Sequence, residues 1–176
     1  DPELQAAAER ALLDQIERIE SGEYGRWPHE KPVPGEKLAP ASGNGSPYLQ
    51  GMVVVLDTRT GEIRALVGGR DFTHSSYDRA LLARRQPGSA FKPILYAAAI
   101  QSGMAASDRI DATSVSVAHR AGVWSPDDLA PDTLSLVSMR DALALSSNNA
   151  AVRIGEWVGP QRVIQTARAL GITTEI

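Results

Sequence analysis

Residues 84–93 read R-R-Q-P-G-S-A-F-K-P, and we expect the fold to be organised around this stretch. The Pro-Gly pair in front of Ser89 interrupts regular structure, so a helix can begin close to that serine. Lys92 follows three residues later, and side chains three residues apart are neighbours on a helix surface. Pro93 also requires a nearby helix start, because a proline deep inside a helix removes a hydrogen bond and causes a clash. The stretch therefore predicts a hydroxyl and an amine side by side at the start of a helix.

This arrangement suits a nucleophile and its base. A serine hydroxyl is a weak nucleophile until a base removes its proton, and an amine becomes such a base when burial or nearby cations lower its pKa. Arg84 and Arg85 offer such cations. The N–H groups and the dipole at the helix start would also favour negative charge on the oxygen of Ser89. Taken in isolation, a serine cap and a solvated lysine are an alternative interpretation.

The composition limits the class of protein. With 176 residues, of which 43% are hydrophobic, the chain can bury the core of one ordinary globular domain. A net charge of −3 gives no reason to expect nucleic acid as a partner. No apolar run approaches the roughly 18 residues of a membrane span. The chain has no cysteine, and His29, His74 and His119 show no ligand spacing, so we expect no disulfide, no metal and no cofactor.

Three elements are predicted before the central stretch. An amphipathic helix that ends near Ser21 is indicated by apolar residues at helical spacing, namely Leu4, Ala8, Ala11, Leu12, Ile16 and Ile19. Residues 24–51 are rich in proline and glycine and predict a long loop. Residues 52–57 and 63–67 are apolar runs joined by a short turn, which indicates a β-hairpin. The first strand is rich in β-branched residues throughout and is expected to be buried on both faces.

Around the central stretch we expect loops and one buried helix. Residues 70–83 and 104–136 are polar or rich in proline and aspartate, and they are interpreted as loops. The helix that begins near Ser89 should continue to about Gly103. Because this helix is apolar nearly all round, it should lie inside the domain and bury Lys92.

Two further helices are predicted towards the end of the chain. Ser138 is a suitable N-cap, and Asp141 three residues later completes a capping-box pattern. This helix should lead into the polar run 146–149, after which its apolar face continues to Gly159 through Ala151, Val152, Ile154 and Trp157. The last helix should open at Pro160 and close before Gly171.

The sequence around Ser89 resembles the Ser-x-x-Lys nucleophile motif of the penicillin-binding proteins, the serine D,D-transpeptidases that cross-link the bacterial cell wall. Ser146-Ser147-Asn148 resembles the Ser-x-Asn element of the class A, high-molecular-mass members. A second frame, from Ser147 to Asn149, has the same spacing. The A-L-A-L sequence before Ser146 favours the first frame, because it is similar to the family's approach to that serine.

Other stretches carry the same resemblance. Residues 1–5, D-P-E-L-Q, resemble the segment that opens the transpeptidase module, and residues 56–69, L-D-T-R-T-G-E-I-R-A-L-V-G-G, resemble its first hairpin. V-W-S-P-D-D around Trp124 resembles the family's aromatic-x-Pro-x-Asn loop, with Asp128 where asparagine is usual. The resemblance implies an α+β fold like that of penicillin-binding proteins and serine β-lactamases. We expect it to be incomplete here, with the helical part and one β-hairpin.

The resemblance also implies roles for individual residues. Ser89 would be the acylated nucleophile, Lys92 its proton acceptor, and Ser146 a proton relay between the lysine and the leaving amine. Asn148 would hold Lys92 and the substrate amide, and Trp124 would line the substrate groove or cover the core. The implied reaction is acyl transfer from the D-Ala-D-Ala end of a peptidoglycan stem peptide. β-Lactam antibiotics would acylate the same serine and block it.

Alternative functions use the same residues. A serine β-lactamase would add a water-activating base, and a non-catalytic β-lactam sensor or structural module would bind without cross-linking. The family's Lys-Thr-Gly motif does not occur in the sequence. We therefore expect residues 1–176 to be the N-terminal portion of a transpeptidase domain, with its C-terminal part absent and with no activity alone.

Location and assembly are further expectations. The substrate implied by the resemblance lies outside the cytoplasmic membrane, so we expect the protein in the periplasm or at the outer face of the inner membrane. Membrane contact is expected only through upstream segments. A hairpin at 52–68 with an unpaired edge predicts self-association, because strand edges bind other strands.

Overall fold

The computed structural model describes four stretches of the chain: 1–33, 45–119, 122–127 and 135–176. It divides into two compact units, Asp1–Arg85 and Gln86–Ile176. Within the described stretches no helix is long and apolar enough to cross a membrane.

Part of the predicted loop at 24–51 is described. Residues 34–44 lie outside the described residues, as does Asp128. The described part of the loop contains no helix or paired strand beyond a single bridge between Glu30 and Tyr48.

The first unit begins with α1 (Pro2–Glu20), which confirms the predicted helix. The Asp1 carboxylate caps it and accepts hydrogen bonds from the backbone N–H groups of Glu3 and Leu4. The buried face of α1 packs against the hairpin that follows, through Ala8, Leu12 and Ile16.

The hairpin consists of β1 (Val53–Leu56) and β2 (Ile63–Val67), which pair antiparallel as predicted. One face packs on α1, through Val53, Val55, Ala65 and Val67. On the other face, Val54 and Leu56 are 40% and 54% exposed. The prediction that β1 is buried on both faces is therefore wrong, because α1 covers only one of them.

Gln5 of α1 covers part of the outer edge of β2. Its side-chain nitrogen donates to the Leu66 carbonyl at 3.0 Å, and its side-chain oxygen accepts from the Leu66 N–H at 2.9 Å. The Gln5 amide thus satisfies the backbone groups that an adjacent strand would bind. The self-association predicted for the hairpin stays a prediction. At Leu66, where Gln5 occupies the edge of β2, a further strand would have to pair with the edge of β1.

Side-chain caps start two short helices. Asp78 caps α2 (Arg79–Leu82), which lies in the stretch 70–83 that the sequence analysis interpreted as a loop. That interpretation is wrong for these four residues, which are too few to show a helical period. In the second unit, Ser138 caps the helix that begins at Met139, as predicted, since its Oγ accepts from the Asp141 N–H at 3.1 Å and donates to the Asp141 carboxylate at 2.6 Å.

The second unit is built on α3 (Lys92–Gln101), which is entered through a 3-10 turn at Gly88–Phe91. The helices α4 (Met139–Ala144), α5 (Asn148–Val158) and α6 (Pro160–Ala169) follow close to the predicted bounds and all pack against α3. The core between the helices contains Tyr96, Ala98, Ala99, Ala142, Ala150 and Ile154.

The described residues of the second unit include four short strands. β3 (Arg109–Asp111) pairs antiparallel with β6 (Leu136–Ser138), and β4 (Val117–His119) pairs with β5 (Gly122–Trp124). The interpretation of 104–136 as loops is wrong at these strands, because three residues are too few to show an alternating pattern. The α+β class is confirmed, with two strand pairs in addition to the predicted hairpin.

Candidate active site

Ser89 lies in the 3-10 turn that leads into α3, at an exposed position. Gly88 before it has a φ of 55°, a left-handed conformation that glycine adopts without strain. Pro93 occupies the first turn of α3, where a proline is tolerated because its missing N–H has no helical acceptor. These residues place the Ser89 hydroxyl at a helix start.

Lys92 is the first residue of α3 and is only 8% exposed. Its Nζ donates to the Ser146 hydroxyl at 3.0 Å and to Asn148 Oδ1 at 2.6 Å. A further hydrogen bond from Nζ goes to the backbone carbonyl of Ser146. These three acceptors match the three N–H donors of an ammonium group.

Ser146 connects the buried amine to Ser89. Its Oγ, which accepts from Lys92, donates to Ser89 Oγ at 3.2 Å. The hydroxyl of Ser146 therefore completes a hydrogen-bonded line from Lys92 Nζ to the exposed serine. Such a line can carry a proton from one end to the other, because each hydroxyl both donates and accepts.

The backbone of Ser146 has a φ of 55°, and it is the only non-glycine residue with positive φ in the part of the chain that the structure describes. This conformation lets its carbonyl and its hydroxyl both accept from Lys92. A non-glycine residue in the left-handed region is strained by roughly 1–3 kcal/mol and is characteristic of functional sites.

The first turn of α5 supplies Asn148. The Asn148 side-chain nitrogen donates to the Asp127 carbonyl at 2.6 Å, while its oxygen accepts from Lys92. Ser147 faces away and caps α5, since its Oγ accepts from the Ala150 N–H at 3.2 Å. Asn149 Oδ1 accepts from a backbone N–H of another segment. Of the two frames considered, Ser146 and Asn148 are the pair in contact with Lys92.

Residues 124–127 form a wall beside Asn148. Trp124, at the end of β5, is 48% exposed and borders an open cavity of about 550 Å³ that Asn148 also lines. The hydroxyl of Ser125 in this wall hydrogen-bonds to the hydroxyl of Ser116, which precedes β4, at 2.8 Å. The wall therefore extends the site from the amine towards an indole ring.

Side chains of α5 hold the residues that lead into β4. Asn149 is 5% exposed and its Oδ1 accepts from the Val115 N–H at 3.2 Å. Arg153 donates to the Thr113 carbonyl at 2.7 Å and pairs with Asp111 at 3.2 Å. Hydrogen bonds from the backbone and side chain of Thr113 hold the pKa of Asp111 below its usual range, with a smaller contribution from Arg153. The helix α5 thus positions both Asn148 and the residues that lead into β4.

The structure brings four of the five predicted site residues into direct contact: Ser89, Lys92, Ser146 and Asn148. Trp124 lines the same cavity as Asn148. The roles assigned to these residues stay predictions. The sequence analysis missed Asp127, whose contribution here is a backbone carbonyl, so its residue type carried no signal. It also missed the α5 side chains that hold the residues before β4, since their partners are dispersed along the sequence.

The described residues hold no group of three or more histidine, aspartate or glutamate side chains placed to bind a metal ion. The contacts given above among Lys92, Ser146, Asn148, Ser89 and Asp127 are made by hydroxyl, amide, amine and carbonyl groups.

Comparisons with known proteins agree with this arrangement. Residues 51–176 match the family model described as the penicillin binding protein transpeptidase domain. Penicillin-binding protein 1A of Aquifex aeolicus is 39% identical over 128 residues, which are 72% of this chain and 18% of that protein. The chain thus spans about one-fifth of the length of this relative.

Solved structures show the same likeness. Penicillin-binding protein 1A from Haemophilus influenzae superposes with a TM-score of 0.66 at 26% identity, over 73% of this chain and 20% of that chain. An imipenem acyl-enzyme complex of penicillin-binding protein A from Mycobacterium tuberculosis gives a TM-score of 0.55 at 27% identity, over 73% of this chain and 35% of that chain. Since the family model covers well over half of the chain, the chain belongs to the penicillin-binding protein transpeptidase family.

Proposed function

We propose that this chain carries the nucleophile and base of a serine D,D-transpeptidase, an acyltransferase that forms peptidoglycan cross-links through an acyl-enzyme on Ser89. The observation that carries the proposal is the hydrogen-bonded line from Lys92 through Ser146 to Ser89. A weakly acidic serine needs a base within reach, and a buried amine is a suitable one once it has lost its proton.

In the reactive state Lys92 is a neutral amine with two N–H groups and one lone pair. The two N–H groups suit the Ser146 carbonyl and Asn148 Oδ1, which leaves the lone pair facing the Ser146 hydroxyl. Ser146 can then pass its proton to Lys92 and take the proton of Ser89. This transfer makes Ser89 Oγ nucleophilic without placing the amine directly against the substrate.

Acylation follows from this proton transfer. Ser89 Oγ attacks the carbonyl carbon between the two terminal D-Ala residues, and the carbon–nitrogen bond breaks. The leaving D-Ala amine takes the proton that Lys92 received, by way of Ser146. The Ser89 N–H at the helix start is the proposed first donor to the oxyanion. The family resemblance assigns the second donor to a strand beside a Lys-Thr-Gly motif, which this sequence does not contain.

The second half of the reaction consumes the acyl-enzyme. An amine of a neighbouring stem peptide attacks the ester carbon, and the carbon–oxygen bond to Ser89 breaks as the new amide forms. β-Lactams imitate the first substrate, and the imipenem acyl-enzyme of the Mycobacterium tuberculosis protein supports acylation of Ser89 by such compounds. We place this activity in the periplasm or at the outer face of the inner membrane, where stem peptides are found.

Labelling with a fluorescent penicillin tests the proposal. The full-length gene product should form an adduct that survives denaturing electrophoresis, and Ser89→Ala should abolish it. Ser114→Ala is the matched control, because Ser114 is an exposed serine of the same unit without a contact to Lys92. An unlabelled wild-type protein, or labelling that persists in Ser89→Ala, would contradict the proposal. Rapid turnover of penicillin would indicate a β-lactamase instead.

Two sequence predictions are tested with the 176-residue chain itself. The first is that it acylates poorly alone, so strong Ser89-dependent labelling of the isolated chain contradicts it. The second is self-association along the hairpin at 52–68. A monomeric sedimentation profile at high concentration would count against that association.

A further inference from the structure

Arg153 of α5 holds the residues that lead into β4. Its Nη1 donates to the Thr113 carbonyl at 2.7 Å, and its Nη2 donates to the Thr113 hydroxyl at 3.2 Å. Nη2 also pairs with the Asp111 carboxylate at 3.2 Å. One guanidinium group therefore binds three groups of a single short segment. Because its donors form a rigid fork, it fixes the direction of that segment as well as its position.

The two ends of the hairpin β4–β5 are joined to each other and to α5. Ser116, before β4, and Ser125, after β5, hydrogen-bond through their hydroxyls at 2.8 Å. Asn149, four residues before Arg153 on α5, accepts from the Val115 N–H at 3.2 Å. The segment that Arg153 binds is thus coupled, through the two serines, to the segment that follows β5.

The Asp127 carbonyl, in the segment after β5, sets the orientation of the Asn148 side chain. It accepts from Asn148 Nδ2 at 2.6 Å. A carbonyl can only accept a hydrogen bond, so the nitrogen end of the amide faces it and the oxygen end is left for Lys92. Asn148 Oδ1 accordingly accepts from Lys92 Nζ at 2.6 Å.

The orientation of this amide matters for the proposed base. A neutral Lys92 needs its lone pair for the proton of the Ser146 hydroxyl. With its amide reversed, Asn148 would donate an N–H to that lone pair and occupy it. A neutral amine can both donate and accept, so by itself it does not select the observed orientation. The Asp127 carbonyl does select it.

We infer that Arg153 is a positioning residue for the acylation step. Through the two ends of the hairpin it holds the Asp127 carbonyl, and that carbonyl keeps the Asn148 oxygen turned towards Lys92. The inference rests on the proposed function, because it concerns the base that activates Ser89. Arg153 acts through the hairpin and the Asn148 amide, and not by contact with the reacting atoms.

Arg153→Met tests the inference in the full-length gene product. Acylation by a fluorescent penicillin is followed over a range of concentrations, which separates the saturating rate constant from the half-saturating concentration. We expect the rate constant to fall about three- to tenfold, the size of one lost hydrogen bond, and the half-saturating concentration to stay unchanged. The fraction of protein labelled at completion should equal that of the wild type, because the folded variant reacts slowly but completely.

A second background shows whether Arg153 acts through Asn148. Asn148→Ala has no amide to reverse, so adding Arg153→Met to it should leave its slower rate constant unchanged. If Arg153 served only the fold, the same fold-change would occur in both backgrounds. Arg153→Lys keeps the charge and one donor for the Thr113 carbonyl, and it should recover part of the lost rate.

Two further variants complete the experiment. Arg162→Met removes an exposed arginine of α6, in the same unit, and should change neither kinetic parameter. Asn149→Leu removes the second contact with the segment before β4. It should lower the rate constant in the same direction as Arg153→Met, again only when Asn148 is present, and it replaces that variant if Arg153→Met does not fold.

Three results overturn the inference. They are an unchanged rate constant in Arg153→Met, a change confined to the half-saturating concentration or to the labelled fraction, and equal losses with and without the Asn148 amide. A wild-type protein that forms no penicillin adduct overturns the proposed function instead.

Discussion

A largely buried basic side chain lies in each compact unit, and the two have different acceptors. Arg70 in the first unit donates to both carboxylate oxygens of Glu20, at 2.6 and 3.2 Å. Lys92 in the second unit donates to neutral oxygens of Ser146 and Asn148. Arg70 thus pairs with a residue of α1, whereas Lys92 contacts the hydroxyl that donates to Ser89.

The largest effect should come from making Lys92 resemble Arg70. Lys92→Arg keeps the positive charge, but a guanidinium cannot lose its proton in a protein. We expect the rate of acylation of the full-length gene product by a fluorescent penicillin to fall by about 10²–10⁴, the usual contribution of a general base.

Lys92→Met provides the control for this prediction, because it removes the charge and keeps an unbranched chain of similar length. It should lose as much activity as Lys92→Arg if proton transfer is the role of the amine. A wild-type rate of acylation in Lys92→Arg would show that the positive charge alone is sufficient, which contradicts the role of base.

The next effect concerns stability in the first unit. Arg70→Met leaves the Glu20 carboxylate largely buried without its bidentate partner. We expect a loss of about 2–3 kcal/mol, near the low end for a broken buried ion pair, because the two side chains retain 17% and 13% exposure. A double-mutant cycle with Glu20→Gln, followed by chemical unfolding, measures the coupling. Purely additive losses would show that the two side chains do not stabilise each other.

Two variants of Ser146 separate the role of its hydroxyl from that of its left-handed backbone, and their expected effects are smaller. Ser146→Ala and Ser146→Gly both remove the hydroxyl that connects Lys92 to Ser89, so acylation should fall about equally, by roughly 10–100-fold. Their stabilities should differ, because only glycine adopts a φ of 55° without strain. We expect Ser146→Gly to be more stable than Ser146→Ala by about 1 kcal/mol in chemical unfolding. Equal stabilities would mean that the left-handed backbone is not strained.

The sequence predicts one side of the site better than the other. The helix start beside Ser89 and Lys92 was predictable, because the Pro-Gly pair and Pro93 confine it to this stretch. The side with Ser146 was predictable only as a motif. Its left-handed backbone had no signal, since serine is not a residue type that marks positive φ. Asp127 contributes a carbonyl, a group that every residue has.

The fold shows the same distinction. The long helix α1 was predictable because its apolar period repeats, with Ala8, Leu12 and Ile16 on its buried face. The three-residue strands β3 to β6 contain at most one alternation each, which no pattern can separate from a loop. The outer face of β1 was predicted to be buried because a run of valines is typical of a strand covered on both faces. Whether another element packs on that face depends on the tertiary structure, which the strand's own sequence does not show.

The smallest predicted effect compares one aspartate from each unit. Asp71 has its pKa held below the usual range mainly by the Thr73 side chain, with backbone N–H groups of Thr73 and His74 adding to it, and burial opposing. The pKa of Asp111 is lowered in the same way, first by the backbone N–H of Thr113. A lowered pKa in the folded state means that the ionised form stabilises the fold above the unfolded value of about 3.9. This stabilisation is lost as the pH falls through the folded pKa.

Asp71→Asn should therefore destabilise the protein near neutral pH, and its difference from wild type should shrink as the solution is acidified. Asp111→Asn should also destabilise the protein near neutral pH, but by less, because Asp111 is the more exposed of the two aspartates. Chemical unfolding of wild type and both variants across the acid range measures these differences. Thr73→Val is the sharper control, since it removes the main hydrogen bond to Asp71 and should reproduce the effect of Asp71→Asn near neutral pH. A difference that grows on acidification would reverse the sign, and it would show that Asp71 is held in its protonated form by the fold.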